Sequence, residues 1–332
     1  MTYLILRLQS MGNVAMTVPV IDSVRRHHLQ DTFVVVAKKR LSALFYGMPN
    51  VMFHEADFKY GKWKGLIRLY HELKTYHIDT VIDLQDNIRT RLIRWMFRWH
   101  GAKVVVVDYG RTEKHRMTLV GAQRMAPLLT EFERYERTFH FAGLQTDNEF
   151  EAIPEREDAK KQILARYGSK EDKWIGVAPF AKFKSNTLPY REMKALIGRL
   201  SRAPHTRVYL FGAGSVECEW LRQWASVMPN VVSVAGELPL EQELELMRQL
   251  DGMICMDSAN QHLAAVVGKR ALSIWMGTHP NIGFGAWKQG EADRIEIPLA
   301  CRPCTIHGTN HCRFGNFVCQ QINIESIIKQ FI

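Results

Sequence analysis

Four short segments of this sequence combine glycine, hydroxyl, carboxylate, amide or lysine side chains where a strand is expected to end and a helix to begin. Such junctions bind anions, because the free backbone amides of a helix start and the positive end of its dipole face the ligand. The segments are residues 9–13, residues 182–184, residues 212–217 and residues 257–264. The pattern indicates a ligand that carries phosphate.

The segment 257–264 reads Asp-Ser-Ala-Asn-Gln-His-Leu-Ala and follows a predicted strand. Asp257 or Ser258 would cap the helix, and the following amides would face a diphosphate. A carboxylate repels phosphate oxygens, so we expect Asp257 to cap or orient rather than to touch them. Capping alone, with His262 as a buried helix residue whose ring is satisfied, is the alternative.

Loops after two other predicted strands could complete this site. Gly212 would allow close approach of a ligand, and Glu217 could accept hydrogen bonds from ribose hydroxyls. Lys182 and Lys184 could neutralise a diphosphate leaving group, or could simply be solvated. The Gly-x-Gly at residues 212–214 lacks the third glycine of a dinucleotide fingerprint, which argues against a nicotinamide-dependent enzyme.

The first loop, residues 9–13, carries one glycine and ends on Asn13. It is not a P-loop, since no Gly-Lys-Ser/Thr follows. Its amides could face an anion or a sugar hydroxyl. The alternative is a simple turn in which Asn13 caps the first helix.

Four of the six cysteines lie close together near the carboxyl terminus, at Cys301, Cys304, Cys312 and Cys319. Their spacing, C-x2-C-x7-C-x6-C, offers the four soft ligands that a structural Zn²⁺ uses. We therefore predict a zinc site there, with reduced thiols or a disulfide as the alternatives.

The order of the predicted elements is that of two doubly wound α/β halves. In the first half, strands are expected over residues 3–8, 32–37, 79–84 and 103–108, and helices over 14–29 and 88–99. In the second, strands are expected over 174–178, 207–211, 231–234, 253–256 and 271–275, and helices over 191–200, 217–225, 240–250 and 259–267. The charged segment 145–173 separates them, so we predict domains over residues 1–150 and 151–332, with ligands at the carboxyl ends of the strands.

The 332 residues carry a formal net charge of +10, which favours acidic partners such as a phosphorylated substrate or an anionic membrane surface. No zinc finger or aromatic RNA-binding motif accompanies this charge, so nucleic acid is not an expected partner. No apolar run approaches the roughly 20 residues of a membrane-spanning helix, and the start does not read as a signal peptide. We expect a cytoplasmic protein.

Together these segments resemble glycosyltransferase family 9, the ADP-heptose:lipopolysaccharide heptosyltransferases and their relatives. The resemblance rests, in chain order, on residues 4–26, on residues 79–95, on residues 256–280 and on the cysteine-rich residues 301–319. It implies a GT-B fold, with two Rossmann-like domains that face a central cleft. It also implies inverting transfer of a heptose-like sugar from a nucleotide diphosphate donor, such as ADP-heptose, to a lipopolysaccharide core or related glycan acceptor. No metal or other cofactor would be required for catalysis, and the protein could lie against the inner membrane.

Motifs and resemblance together define the expected contacts to the nucleotide sugar. They are Lys182, Lys184, Gly212, Glu217, Asp257, Ser258, Ala259, His262, Gly277 and Thr278. The resemblance places Ser258, Ala259 and the lysine loop at the diphosphate. It places Glu217 near the ribose, and Gly277 with Thr278 in the donor pocket.

The catalytic residue departs from the family pattern. The resemblance implies an aspartate as general base at position 13, where this chain has Asn13, and an amide cannot take the proton of the acceptor hydroxyl. A family lysine is also displaced, since Asn186 lies three residues before Pro189. Asp83 and Asp86 are the other candidate catalytic residues. A catalytically impaired nucleotide-sugar-binding protein and a sugar-nucleotide epimerase are therefore the alternatives to a glycosyltransferase.

Overall fold

The computed structural model describes residues 1–56 and 62–332, without the side chain of Lys62. The chain divides into two compact units, the first formed by Met1–Tyr109 with Glu131–Pro154 and the second by Gly110–Thr130 with Glu155–Ile332. The final passage from one unit to the other lies at residues 154–155, near the predicted boundary at residue 150. The excursion of residues 110–130 into the second unit was not expected from the sequence.

Each unit is built on a parallel sheet flanked by helices. The strands of the first sheet are β1 (Thr2–Leu6), β2 (Thr32–Ala37), β3 (Val51–Glu55), β4 (Thr80–Asp83) and β5 (Lys103–Val106). Those of the second are β6 (Lys173–Ala178), β7 (Thr206–Leu210), β8 (Val231–Ser233), β9 (Gly252–Met256), β10 (Ala271–Trp275) and β11 (Arg294–Glu296).

The helices alternate with these strands. In chain order they are α1 (Met11–Ala15), α2 (Val18–His27), α3 (Lys62–Lys74), α4 (Ile88–Trp99), α5 (Arg111–Val120), α6 (Glu131–Ala142), α7 (Glu157–Tyr167), α8 (Tyr190–Leu200), α9 (Ser215–Val227), α10 (Leu240–Gln249), α11 (Ala259–Val266) and α12 (Ile324–Ile328). Within the described ranges, none of them is both long enough and apolar enough to cross a bilayer.

The strand order places a topological switch point in each sheet. The orders are β3-β2-β1-β4-β5 and β11-β10-β9-β6-β7-β8, and every pair of neighbours is parallel. The chain winds outward from β1 through β2 to β3 and then crosses to β4, and it does the same from β6 through β8 to β9. Ligands of doubly wound sheets bind outside the carboxyl ends of the strands at such points, here between β1 and β4 and between β6 and β9.

Three elements have the bounds that were predicted, namely β2, α4 and β10. Local sequence signals account for them. Helix α4 begins at Ile88 because a reciprocal capping box precedes it. The Oδ1 atom of Asn87 accepts hydrogen bonds from the amides of Arg89 and Thr90 at 2.9 and 3.1 Å, and the Thr90 hydroxyl accepts one from the Asn87 amide at 3.0 Å.

Two predictions about helices are wrong. The single helix expected over residues 14–29 is split into α1 and α2. Pro19 has no amide hydrogen, and in a continuous helix its ring would clash with the carbonyl of Ala15, so the chain restarts with Pro19 at the second position of α2. The charged segment 145–173 contains α7, which buries only Ala159 and Ile163 and so shows little apolar pattern.

Candidate functional site

The switch point of the second sheet lies where β9 gives way to α11. Ser258 occupies the N-cap position, but no side chain caps the first turn of α11, so neither Asp257 nor Ser258 has the predicted capping hydrogen bond. Four amides at a helix start have no partner within the helix and need an external acceptor. In this unit they face outward at the position where a doubly wound sheet binds its ligand.

Three polar atoms at the start of α11 are buried without a hydrogen-bond partner among the described residues. They are Ser258 Oγ, Gln261 Oε1 and His262 Nδ1. Residues spaced three and four apart lie on one face of a helix, so these atoms share a face. Burial lowers the pKa of His262 to about 4, which leaves its ring neutral at pH 7. Because buried polar groups nearly always have partners, this face has the chemistry of a binding site for a polar ligand.

The carboxylate of Asp257 connects three elements beside that face. Its Oδ2 atom accepts hydrogen bonds from Thr278 Oγ1 at 2.6 Å and from Asn186 Nδ2 at 3.2 Å. Its Oδ1 atom accepts one from Gln261 Nε2 at 3.3 Å. Burial raises the pKa of Asp257 to about 6, and the hydrogen bonds from Thr278 and Gln261 act in the opposite direction. Asp257 therefore has the orienting role that was predicted as the alternative to capping, and its hydrogen bonds hold the loops that follow β6 and β10.

The loops that follow β6 and β10 touch each other at Gly277. Its amide donates to the carbonyl of Ser185 at 2.8 Å. A Cβ atom at position 277 would lie 2.5 Å from the Cβ of Ser185, which is too close, so the position requires glycine. Thr278, which is almost fully buried, follows directly. The structure thus brings Gly277, Thr278, Asp257 and the start of α11 together.

Arg302 is a part of this site that the sequence analysis missed. It is fully buried, and its guanidinium donates to the carbonyls of Trp275 at 3.1 Å, Thr278 at 2.9 Å and Ile297 at 2.6 Å. A buried arginine that satisfies several carbonyls holds the loop after β10 in one conformation. An arginine between cysteines in a polar tail carries no sequence signal that distinguishes it from an exposed one.

The two predicted lysines extend from the loop after β6. Lys182 and Lys184 are exposed, and each ammonium lies 5.1 Å from an aromatic ring, that of Phe183 or Phe317. Neither lysine forms an ion pair within residues 1–56 and 62–332. Two unpaired cations beside the switch point raise the positive potential there.

The predicted ribose contact lies one strand further along the sheet, after β7. The Oε2 atom of Glu217 accepts a hydrogen bond from the Ala213 amide at 3.2 Å. Burial raises the pKa of Glu217, against the effect of that hydrogen bond. A Cβ atom on Gly212 would lie 2.8 Å from the Leu221 side chain, so the glycine permits α9 to pack closely. In the structure, therefore, the Glu217 carboxylate is hydrogen-bonded to the loop that follows β7.

In the first unit, Asn13 is the third residue of α1 and is half-buried. The N-cap position belongs to Ser10, which has φ 69°, so the alternative in which Asn13 caps the helix is wrong. Across the described residues the Asn13 side chain has no hydrogen-bond partner. It is therefore available to a ligand.

Both aspartates at the end of β4 are engaged with arginine. Asp83 is fully buried, and it accepts hydrogen bonds from the amides of Gln85 and Asp86, each at 2.9 Å, and from Arg94 at 2.8 Å. Asp86 pairs with Arg91 at 3.0 Å and with Arg94 at 3.1 Å. Each carboxylate thus already serves a structural ion pair.

Gln85 connects these aspartates to the first loop, and the sequence analysis did not single it out. Its Oε1 atom accepts hydrogen bonds from the amides of Leu8 at 2.7 Å and Gln9 at 3.2 Å. The structure therefore brings the loop before Asn13 next to the loop after β4, at the switch point of the first sheet. A polar residue two positions after the end of a buried parallel strand was the available signal.

The four cysteines of the tail are free thiols. Burial raises the pKa of Cys319 to about 11 and also raises that of Cys304. Backbone amides, chiefly that of Phe317, lower the pKa of Cys312. In the part of the chain that the structure describes, no group of three or more His, Cys, Asp or Glu residues is arranged to hold a metal ion. The zinc site at Cys301 and its three neighbours stays a prediction.

Known proteins share this architecture. The family model described as Glycosyltransferase family 9 (heptosyltransferase) matches residues 66–312. The lipopolysaccharide core heptosyltransferase OpsX of Haemophilus influenzae is 27% identical over 89 residues, so the match spans 27% of this chain and 25% of that protein. The glycosyl transferase family 9 structure from Veillonella parvula has a TM-score of 0.77 at 17% identity, over 99% of this chain and 95% of that one. The E. coli ADP-heptose lipopolysaccharide heptosyltransferase II has a TM-score of 0.70 at 16% identity, over 100% of this chain and 98% of that one.

These findings agree with the two parallel sheets described above. The likeness to solved structures covers both units and confirms the predicted class, two doubly wound α/β domains of GT-B type. The family model matches well over half of the chain. The chain therefore belongs to glycosyltransferase family 9.

Proposed function

We propose that this protein is an inverting glycosyltransferase that moves a heptose-like sugar from a nucleoside diphosphate donor to a lipopolysaccharide core or related glycan acceptor. Membership of family 9 supports glycosyl transfer. The similar E. coli enzyme is an ADP-heptose heptosyltransferase, which supports ADP-heptose as the donor. The observation that carries the proposal is the set of unpartnered polar atoms at the start of α11.

Those atoms have the hydrogen-bonding character that a nucleotide sugar satisfies. Gln261 Oε1 can only accept, so it needs a donor such as a ribose or sugar hydroxyl. The Ser258 hydroxyl and the uncapped amides of α11 can donate to diphosphate oxygens. The neutral ring of His262 can do either through Nδ1, depending on its tautomer. A ligand that combines hydroxyl groups and phosphates therefore fits better than inorganic phosphate alone.

Transfer requires the bond between the sugar and the diphosphate to break as the acceptor hydroxyl attacks. Negative charge then grows on the leaving diphosphate. The start of α11, together with Lys182 and Lys184, would stabilise that charge where it develops, which is how fixed dipoles and cations lower a barrier. Asp257 acts as a positioning residue, because its hydrogen bonds hold Thr278 and Asn186 next to the same helix.

The first unit favours a second candidate, a nucleotide-sugar-binding protein impaired in transfer. Position 13 holds an amide, and the carboxylates of Asp83 and Asp86 are both paired with arginine. A positioned general base contributes about 10²–10⁴-fold to such a reaction. Without one, binding would remain while turnover fell.

A transfer assay with a panel of nucleotide sugars, with and without a lipopolysaccharide core acceptor, distinguishes the two. We expect transfer only when the acceptor is present. Asn13→Asp should raise turnover at least about tenfold and leave nucleotide affinity nearly unchanged, because it installs a carboxylate of the same shape. Gln9→Glu, which adds the same charge to the loop that precedes α1, is the matched control and should bring no gain.

Other outcomes identify the other roles. If Asn13→Asp has no effect while alanine at Asp83 or Asp86 abolishes transfer and leaves thermal unfolding and nucleotide binding unchanged, that aspartate is the base. Tight binding of the nucleotide sugar without turnover in either protein would support the binding protein. Absence of both binding and transfer would overturn the proposed site at α11.

A further inference from the structure

Helix α4 of the first unit presents a face of tryptophan, isoleucine and arginine to solvent. Ile88, Trp95 and Trp99 are 71%, 60% and 78% exposed. Arg91 and Arg98 are exposed between them. The spacing of these five residues follows the helical repeat, so they form one face. Large exposed apolar side chains grouped in this way mark interaction surfaces.

The opposite side of α4 provides the packing that the fold needs. Ile93 and Phe97 are buried in the apolar core of the first unit. The ring of Phe97 lies 5.0 Å from that of Tyr70 on α3. The two tryptophans contact each other, with ring centroids 6.0 Å apart, and contribute little to that core. Their exposure therefore has no structural explanation within the unit.

Helix α3 extends the same surface. It packs against α4, and its Leu66 and Leu69 are buried in the core cluster that also holds Ile93 of α4. Its outer side carries Trp63 and Ile67, which are 64% and 52% exposed. We call the exposed residues of both helices the tryptophan face, and they are Trp63, Ile67, Ile88, Trp95 and Trp99.

The tryptophan face is surrounded by positive charge. Helix α4 contains four arginines and no aspartate or glutamate. Asp86, which precedes the helix, pairs with Arg91 and Arg94. Arg98 on α4 and Lys64 on α3 are exposed and form no ion pair among the described residues. A partner surface with negative charge would complement this surplus of cations.

We propose that the tryptophan face binds the surface of an anionic lipid bilayer. Tryptophan is enriched where hydrocarbon meets water, since its ring is apolar and its N–H stays in the polar layer. Helices that lie in that layer combine such side chains with lysine and arginine. The cations attract anionic headgroups, and α3 and α4 would lie along the membrane with their buried sides toward the protein.

Charge complementarity selects the lipid over a second copy of the chain. Two copies meeting through this face would place the arginines of one α4 against those of the other, and like charges across an interface cost affinity. The inference does not depend on sugar transfer, because it uses only exposure, side-chain chemistry and charge in the first unit.

Co-sedimentation of the full chain with vesicles tests the inference. We expect binding to vesicles of equal parts phosphatidylcholine and phosphatidylglycerol, and much weaker binding to phosphatidylcholine alone or at high salt. Trp95→Ala with Trp99→Ala should weaken binding at least about tenfold, because the apolar area that enters the bilayer is removed. Arg98→Glu should weaken it about 30-fold through the reversed charge.

Phe141→Ala is the matched control, since Phe141 is a 75% exposed aromatic residue on α6 of the same unit. It should bind vesicles like the wild type, and thermal unfolding should show all variants folded because the changed side chains are exposed. The inference is overturned if the double tryptophan variant binds anionic vesicles as well as the wild type does, or if the wild type ignores anionic lipid. A wild-type dimer that the double variant converts to monomers, without vesicle binding, would assign the face to a second copy.

Discussion

Replacing Asp257 with asparagine removes a charge from the second unit while its hydrogen bonds can be kept. The new Oδ1 atom can still accept from Thr278 and Asn186, as the carboxylate does. The new Nδ2 group would face Gln261, whose Oε1 atom has no partner among the described residues. If Gln261 turns its amide over, that oxygen accepts from the new N–H group. The loops after β6 and β10 should therefore stay in place.

The size of the effect follows from the pKa of Asp257, which burial raises from 3.8 to about 6. A raised pKa means that the folded protein binds the proton more tightly than the unfolded chain. The resulting stabilisation is complete below pH 3.8 and is lost as the pH rises to about 6. At about 1.4 kcal/mol per unit, the loss is roughly 3 kcal/mol. Asparagine does not titrate, so the stability of the variant should not fall over this pH range for that reason.

Urea unfolding of both proteins at several pH values measures this difference. The free energy of unfolding of Asp257→Asn, minus that of the wild type, should rise by about 2–3 kcal/mol from pH 4 to pH 7. Asp172→Asn, which removes a carboxylate that is 39% exposed in the same unit, is the control and should show a much smaller rise. A difference that stays constant with pH would refute the reasoning, because the carboxylate would then not be desolvated. A variant that is less stable than the wild type at pH 7 would show that the charge itself holds the loops.

Three further predictions concern the same unit. Lys182→Ala with Lys184→Ala should weaken ADP binding at least about tenfold by calorimetry, since two cations beside the proposed diphosphate site are lost. Lys329→Ala, at an exposed lysine, is the control. Unchanged ADP affinity of the double variant would show that the two lysines are not part of the site. Gly277→Ala should lower the free energy of unfolding by about 1–3 kcal/mol, because its Cβ atom would lie 2.5 Å from a side-chain carbon. Gly290→Ala is the control, because its Cβ atom would meet nothing within 4 Å and its free energy of unfolding should stay unchanged. Equal stability of the two variants would contradict the close packing at Gly277. Elemental analysis of protein purified without added metal tests the zinc site predicted at the tail cysteines, and less than roughly a tenth of a zinc per chain would reject it in favour of thiols or a disulfide.

Much of the architecture was predictable because its signals are local. Buried parallel strands read as short apolar runs, and β2 and β10 were predicted to the residue for that reason. Helix α4 was predictable from its capping residue, Asn87, and from its apolar repeat. Strand-to-helix junctions with polar residues also identified the segment at Asp257 as a site candidate. Each of these signals lies within a window of a few residues.

The roles of the site residues were decided by partners that are remote in sequence. Asn186 and Asp257 are 71 residues apart, and the hydrogen bond between them could not be read from either segment. The sequence made Asp83 a candidate base, but Arg94 holds its carboxylate in a buried ion pair. Arg302 is likewise distinguished from an exposed arginine by the carbonyls and the Glu296 carboxylate around it. Periodicity encodes which face of an element is buried, whereas the donors and acceptors that meet a side chain depend on how the loops of separate strands converge, and that is set only when the sheets have formed.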